Sequence, residues 1–342
     1  MTRQRVAIVG ATGYAGAELT AILAHHPCVD LVSLSSGTTS SVPRLSELHS
    51  SLSDDDGPVV EPFDLARILA AAPQTVFLAT PNELSAEIAP QLLDAGCSVI
   101  DLSGAFRLRD AQLYPRWYGF EHPRPALLEQ AVYGLTEWCN GELRGARLIA
   151  NPGCYPTAIL LALRPLSYLI DREQTLVCDA KSGVSGAGKR AELAYSFSEL
   201  AGNFKAYGVG QHRHEPELRE RLHIGERTPL VFVPHLLPAV RGILATLHIT
   251  FMKTMTEQEI TNLYREAYGD APFVHVRPPG QLPELKHVVG TAKAEIGFVL
   301  LNGGRRAVVV SVIDNLLKGA ASQAVQNFNR LHGFDEKEGL AA

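Results

Sequence analysis

The feature that most constrains the fold lies near the N-terminus. The apolar run Arg5-Val6-Ala7-Ile8-Val9 ends in Gly10-Ala11-Thr12-Gly13-Tyr14-Ala15-Gly16, and a helical pattern follows to about His26. A strand that empties through glycines into a helix opens a parallel βαβ unit. The glycines let the backbone approach a pyrophosphate held at the helix N-terminus. The rhythm then continues: Leu31 to Leu34, Val76 to Leu78 and Val99 to Leu102 read as strands, and the stretches near Leu65 to Ala71 and from Glu83 to Ala95 read as helices. This alternation predicts an α/β fold, a Rossmann-type doubly wound parallel sheet with helices on both faces.

Near residue 150 the texture changes. Strand candidates at Thr175 to Ala180, Leu230 to Val233, Gly242 to Phe251, Ala294 to Leu300 and Ala307 to Ile313 are longer and alternate more clearly. They predict an α+β domain whose mixed sheet has one face covered by helices. At 342 residues the chain suits two domains of the usual size, ~150 residues each. The expected division is a dinucleotide domain of residues 1–150 and 315–342, with a catalytic, substrate and oligomerisation domain of residues 151–314. A last helix is expected from Asn315 to about Leu331.

The second informative stretch is Asn151-Pro152-Gly153-Cys154-Tyr155-Pro156-Thr157, which sets a cysteine on a Pro-Gly turn before the apolar segment Ala158 to Ile170. If that segment is helical, unpaired N–H groups and the positive end of the helix dipole face Cys154 and favour its thiolate. The other four cysteines, Cys28, Cys97, Cys139 and Cys178, form no CxxC pair and have no zinc-type histidine spacing, so no metal site is expected. Reduced thiols of a cytoplasmic protein are the simple reading. A nucleophilic thiol and a dinucleotide turn in one chain point to acyl-thioester redox chemistry.

A formal charge of −5 without a basic stripe argues against nucleic-acid and anionic-membrane partners. No secretory signal pattern opens the chain, and Ala158 to Ile170, broken by Arg164 and Pro165, falls short of a membrane span. A small-molecule substrate is expected. The second strand ends in Ser35-Ser36-Gly37-Thr38-Thr39-Ser40-Ser41 with Arg44 beyond, where NAD enzymes usually place a carboxylate for the ribose. Ser36, Thr38 and Arg44 suit a 2′-phosphate, so NADP(H) is preferred. Ala79 and Pro81, at the end of a later strand, should also line the cofactor.

With these residues in view, the chain resembles the N-acetyl-gamma-glutamyl-phosphate reductase family, relatives of the aspartate-semialdehyde dehydrogenases. The resemblance runs from the glycine turn through the Cys154 segment, Ala180-Lys181-Ser182-Gly183-Val184-Ser185-Gly186-Ala187-Gly188, His212-Arg213-His214-Glu215-Pro216-Glu217, Pro234-His235-Leu236-Leu237-Pro238 and Arg241-Gly242, to Asp314-Asn315-Leu316. It implies NADPH-dependent reduction of an acyl phosphate to a semialdehyde with release of phosphate, in arginine biosynthesis. It also implies a homo-oligomer, dimer or tetramer.

Cys154 would attack the acyl-phosphate carbonyl and carry the thioester. An acid/base for the hemiacetal oxygen is sought in His212 and His214, with His214 favoured because it begins a helical pattern. His235 reads as structural. The resemblance places Arg107 and Arg241 at the substrate, where arginine forks suit a carboxylate and a phosphate. Ser182 belongs to the same pocket. Ser185 and Gly186, in the glycine-rich segment, would approach the nicotinamide or an anion, and Asn315 would reach the nicotinamide amide. The chain departs from the family's common pattern at Asn82, Ala105 and Ala292. Reduction of a related acyl phosphate, aspartyl phosphate or carrier-bound aminoadipyl phosphate, is the alternative in the same class; a non-catalytic NADP-binding sensor is the alternative outside it.

Overall fold

The computed structural model describes residues 3–36, 43–139, 141–189, 192–225 and 228–340. Two compact units emerge: the first runs to Gly153 and resumes at Ala320, and the second is Cys154–Gly319.

The first unit contains β1 (Gln4–Val9), β2 (Val29–Ser35), β3 (Val60–Glu61), β4 (Thr75–Leu78), β5 (Ser98–Asp101), β6 (Val132–Tyr133) and β7 (Leu148–Ala150). Their order is β3-β2-β1-β4-β5-β7-β6, and every pairing is parallel. A parallel sheet needs both faces covered, and β1 shows how its sequence meets that need. Val6 and Ile8 face a core that includes Leu19, Phe77, Ile100 and, from the final helix Ala321–His332, Ala324, Val325 and Phe328. Ala7 and Val9 face the opposite core, with Val76, Leu78 and Val99 and with Ile88, Ala89 and Leu92 of the helix Asn82–Asp94. Strand order reverses between β1 and β4, which opens a crevice at the carboxyl ends of these strands.

The final helix starts at Ala321, six residues later than the sequence pattern suggests. Asp314 is the cause. Its carboxylate accepts the N–H groups of Leu316 (2.8 Å) and Leu317 (3.1 Å), and its carbonyl accepts that of Gly319 (2.9 Å), so the chain turns locally before a helix forms. Once begun, the helix is almost wholly buried, polar residues included. Asn327 donates to Gly134 O (2.8 Å) and Asn151 Oδ1 (3.0 Å) and accepts from Thr136 Oγ1 (2.6 Å), which satisfies an otherwise costly amide.

The second unit contains β8 (Leu176–Gly183), β9 (Lys205–Ala206), β10 (Leu230–Leu237), β11 (Ile243–Thr250), β12 (Val274–Val276), β13 (Ala294–Leu301) and β14 (Arg306–Ile313). The order is β12-β13-β14-β11-β8-β10-β9, with β12–β13 and β8–β10 parallel and the other pairings antiparallel. Burial alternates along the central strands. In β8, Leu176, Cys178 and Ala180 are buried while Val177, Asp179 and Lys181 are half-exposed, and β10 and β11 repeat the pattern. The helix Cys154–Leu163 packs against β11 and β14 on the covered side. It gives way to a 3₁₀ turn at Arg164–Leu169, where Pro165 lacks the N–H that would continue it.

His332, at the end of the final helix, gives the first unit a pH dependence. Its Nε2 meets Thr75 Oγ1 at 2.9 Å, its ring packs on Phe328 at 4.7 Å, and burial holds its pKa down to about 4. The unfolded chain takes up a proton here below about pH 6.5 and the folded chain does not until about pH 4. Stability therefore falls as pH falls through this window. In urea melts between pH 7 and 4, His332→Gln should lose that component; a wild-type slope in the variant would show that His332 contributes none of it.

Candidate active site

In the first unit, the turn after β1 is shaped by three glycines with different tasks. Gly10 has φ +89°, and a Cβ there would lie 2.4 Å from Ala79 O at the end of β4. At Gly16 a Cβ would lie 2.1 Å from Gly10 O, so the helix Tyr14–Ala24 can start this close to the turn only without one. Gly13 is the N-cap of that helix, and its added Cβ would touch only Gly10 O, at 3.6 Å. The first-turn N–H groups of a helix have no partner within it. The hydroxyl of Ser35, at the end of β2, is buried without a hydrogen bond. Such a cradle and an unsatisfied hydroxyl at the strand ends suit a dinucleotide's pyrophosphate and ribose.

Thr12, Tyr14 and Ala15 lie in this turn and Ala79 and Pro81 at the end of β4, so the structure brings these expected cofactor residues to the same edge of the sheet. Ser36 is buried, with its N–H on Glu61 O (2.9 Å). Arg44 is exposed and caps a short helix, its N–H on Glu47 Oε2 (3.2 Å). Thr38 lies outside the described residues.

In the second unit, Cys154 is the first residue of the helix Cys154–Leu163, half-exposed, while the other nine residues are buried. Pro156 sits in the first turn, where its missing N–H costs nothing. A Cβ on Gly319 would come 2.9 Å from Cys154 Cβ and 2.7 Å from Asn315 O, so only glycine leaves room for the thiol side chain. Cys28 is also half-exposed but lies outside this helix, and the other three cysteines are buried. Burial pushes the thiols of Cys97 and Cys178 up, and Cys139 is buried and donates to Tyr133 O and Leu135 O.

Tyr155 follows Cys154 in the helix and touches both histidines. Its ring meets His212 at 5.6 Å and His214 at 5.9 Å, edge to face, and the two histidine rings are 4.7 Å apart. Its hydroxyl donates to His235 O (3.1 Å) and lies 3.2 Å from the hydroxyl of Tyr207. Burial pushes Tyr207 up to about 12, and the Cys154 charge adds to that shift. His214 is 4% exposed, whereas His212 is half-buried against Tyr155, Tyr207 and Phe232. His235 points to the other face of the sheet, paired with Asp179 (3.1 Å).

The expected substrate and nicotinamide residues of this unit cluster round one buried carboxylate. Asp314 accepts from Arg241 Nε (2.9 Å) and its terminal nitrogen (3.1 Å) and from Gly290 N (2.8 Å). Asn315 accepts from Gly242 N (2.7 Å) and donates to Ser185 Oγ (2.9 Å). Ser182 Oγ donates to Gly183 O, and a Cβ on Gly186 would lie 2.9 Å from it. Arg241 and Asn315 thus hold the protein to itself at the points where the resemblance puts them on ligands. Arg107 likewise donates to Asn151 O and Leu102 O, both at 2.8 Å, and braces the strand exit of the first unit.

Three residues escape a sequence reading. Tyr207 lies in a segment without regular pattern, Asp314 reads as a helix cap, and Lys318 looks like a solvated charge but is fully buried in the turn after Asp314. The departures are structural as well: Ala105 and Ala292 are buried, and Asn82 accepts from Gly104 N (2.8 Å).

These differences among the thiols have a direct readout. Iodoacetamide on the native protein near pH 7 should label Cys154 first, with Cys97, Cys139 and Cys178 reacting only after unfolding. Peptide mapping by mass spectrometry gives the order, and equal labelling of Cys154 and Cys178 would refute it.

Residues 5–146 match the family described as "Semialdehyde dehydrogenase, NAD binding domain", and residues 154–315 match "Semialdehyde dehydrogenase, dimerisation domain". The chain is 47% identical over 340 residues to the N-acetyl-gamma-glutamyl-phosphate reductase of Shouchella clausii (strain KSM-K16), covering 98% of each chain. It is 43% identical over 341 residues to that of Bacillus subtilis (strain 168), again covering 98% of each. Among solved structures, aspartate semialdehyde dehydrogenase II of Vibrio cholerae shares the fold at a TM-score of 0.71 and 19% identity, covering 97% of this chain and 99% of its own. The chain therefore belongs to the semialdehyde dehydrogenase family and, within it, to the N-acetyl-gamma-glutamyl-phosphate reductases.

Proposed function

We infer that the protein reduces N-acetyl-γ-glutamyl phosphate to N-acetylglutamate semialdehyde with release of phosphate, using NADPH. The observation that carries this reading is the seat of Cys154, a half-exposed thiol at a helix N-terminus in a chain that matches such reductases from end to end. The turn Gly10–Gly16 would hold the pyrophosphate, with Thr12, Gly13, Tyr14 and Ala15 supplying its open side. Ser36 and Arg44 would meet the 2′-phosphate, and Ala79 and Pro81 would flank the nucleotide. When bound, the dinucleotide supplies the hydride.

The remaining chemistry belongs to this chain's own residues. The Cys154 thiolate adds to the acyl carbonyl carbon, the carbonyl electrons move to oxygen, and their return expels phosphate and leaves a thioester. After reduction, cleavage of the C–S bond returns an electron pair to sulfur and frees the aldehyde. Of the two histidine candidates, His212, half-buried where His214 is buried, would serve the carbonyl oxygen. Ser182 and Ser185, held with Gly186, Asn315 and Arg241 round Asp314, would shape the pocket for the acyl chain. Self-association would use the half-exposed face of the second sheet, where Val231, Val233, Leu237 and Leu244 point outward.

The test runs the reaction backwards, with N-acetylglutamate semialdehyde, phosphate and NADP⁺. Phosphate-dependent reduction of NADP⁺, with much weaker activity on aspartate semialdehyde or with NAD⁺, is the expected result. Cys154→Ser should lower turnover by roughly 10³-fold or more and leave NADPH binding intact. Full turnover in that variant would exclude the thioester route.

A further inference from the structure

Resting on the reading of Cys154 as nucleophile, we propose that Asp314 is a positioning residue for that cysteine: its carboxylate fixes the turn 315–319, and the backbone of Gly319 then limits where the thiol side chain can lie.

The carboxylate itself is held from several directions. Asp314 is fully buried. Arg241 donates to it through Nε at 2.9 Å and a terminal nitrogen at 3.1 Å, Gly290 N donates at 2.8 Å, and Leu316 N and Leu317 N donate at 2.8 and 3.1 Å. Every one of these partners is a donor, so the group they select is an ionised acceptor with Arg241 as its counter-charge. The bonds to Leu316 and Leu317, with Gly319 N on the Asp314 carbonyl at 2.9 Å, wind the chain into the turn. Asn315 adds a second anchor by accepting from Gly242 N (2.7 Å) and donating to Ser185 Oγ (2.9 Å). All five residues of the turn are buried, Lys318 completely, so the turn has no solvent side into which it could relax.

What the turn meets is the start of the helix Cys154–Leu163. A Cβ on Gly319 would come 2.9 Å from the Cys154 Cβ, well inside the ~3.5–4.0 Å at which carbon atoms normally touch. The Gly319 backbone is therefore a wall beside the carbon that carries the sulfur, and it restricts the rotamers open to the thiol. The helix cannot give way in its turn. Its other nine residues are buried, and near its far end the hydroxyls of Tyr268 and Tyr264 donate to Leu161 O (2.6 Å) and Ala162 O (2.7 Å). With helix and turn both fixed, the sulfur keeps its own side-chain torsion as its main freedom. Misplacing a reacting group by about 1 Å can cost roughly 10²-fold in rate, and the carboxylate guards against that displacement.

The test compares two variants in the phosphate-dependent oxidation of N-acetylglutamate semialdehyde by NADP⁺. Asp314→Asn keeps the shape but turns an NH₂ group toward donors, which loosens the turn. Gly319→Ala leaves the carboxylate in place and presses on Cys154 directly. Each should lower kcat by roughly 10²-fold, with KM for the semialdehyde and Kd for NADPH within about threefold of wild type. Iodoacetamide is small and has no fixed approach, so Cys154 should still be alkylated within about threefold of the wild-type rate, with the buried Cys178 protected. A role in folding alone would expose Cys178, and a role in ionising the thiol would slow alkylation in step with turnover; either pattern in both variants overturns the proposal. Where Asp314→Asn alone exposes Cys178, Gly319→Ala decides, and a kcat there within about threefold of wild type overturns it. So does a folded Asp314→Asn with wild-type kcat. Absence of wild-type turnover would sink the functional reading and the positioning role together, whereas wild-type turnover with an unchanged Asp314→Asn sinks the proposal alone.

Discussion

The second unit is organised by the carboxylate of Asp314. It is buried with Arg241 across from it and with backbone N–H groups of Gly290, Leu316 and Leu317 directed at its oxygens. A buried charge of this kind is tolerated because it is paired and fully bonded, and removing one partner leaves the other uncompensated. Its consequence is geometric. The carboxylate bends residues 315–319 into a turn, the turn places Gly319 against Cys154, and Asn315 ties the same turn to Ser185 and Gly242. The seat of Cys154, the glycine-rich segment after β8 and the approach to β11 are therefore one mechanical piece.

This arrangement assigns the polar residues differently from a reading that puts every arginine and asparagine on a ligand. Arg241 and Asn315 spend hydrogen bonds on the protein, and Arg107 does the same in the first unit. A fork fixed by the scaffold loses little further entropy when it meets an anion, which is how a site acquires precision from its supporting shell. The dinucleotide turn follows the same logic with backbone alone. Gly10 and Gly16 are required by atoms less than 2.5 Å from where a side chain would begin, whereas a Cβ at Gly13 would make only an ordinary contact with Gly10 O at 3.6 Å.

Much of this was legible in the sequence. The strand-glycine-helix opening and the two alternation patterns carry both sheets, because burial on two faces and burial on one face write different periodicities. Cys154 was legible because a Pro-Gly turn before an apolar run has few other uses. The start of the last helix was not, since Asp314 competes for N–H groups that propensity assigns to helical bonds. Tyr207 and Lys318 were not legible either. A tyrosine in an irregular segment and a lysine beside a glycine read as surface, and only the three-dimensional packing reveals the hydroxyl pair with Tyr155 and the buried ammonium. Helical pattern likewise says nothing of burial, and His214 is buried while His212 is half-buried.

Two helix N-termini act on the two reactive side chains, and the same field has opposite effects on them. At Cys154 the charged form is an anion, so the positive end of the helix Cys154–Leu163 favours it. At His212 the charged form is a cation, so the positive end of the helix His214–Arg221 disfavours it. The same field therefore favours the deprotonated form at both positions, an anion in one case and a neutral ring in the other. Tyr155, next to Cys154 in the chain, packs on both histidines, and its hydroxyl is fixed on the carbonyl of His235.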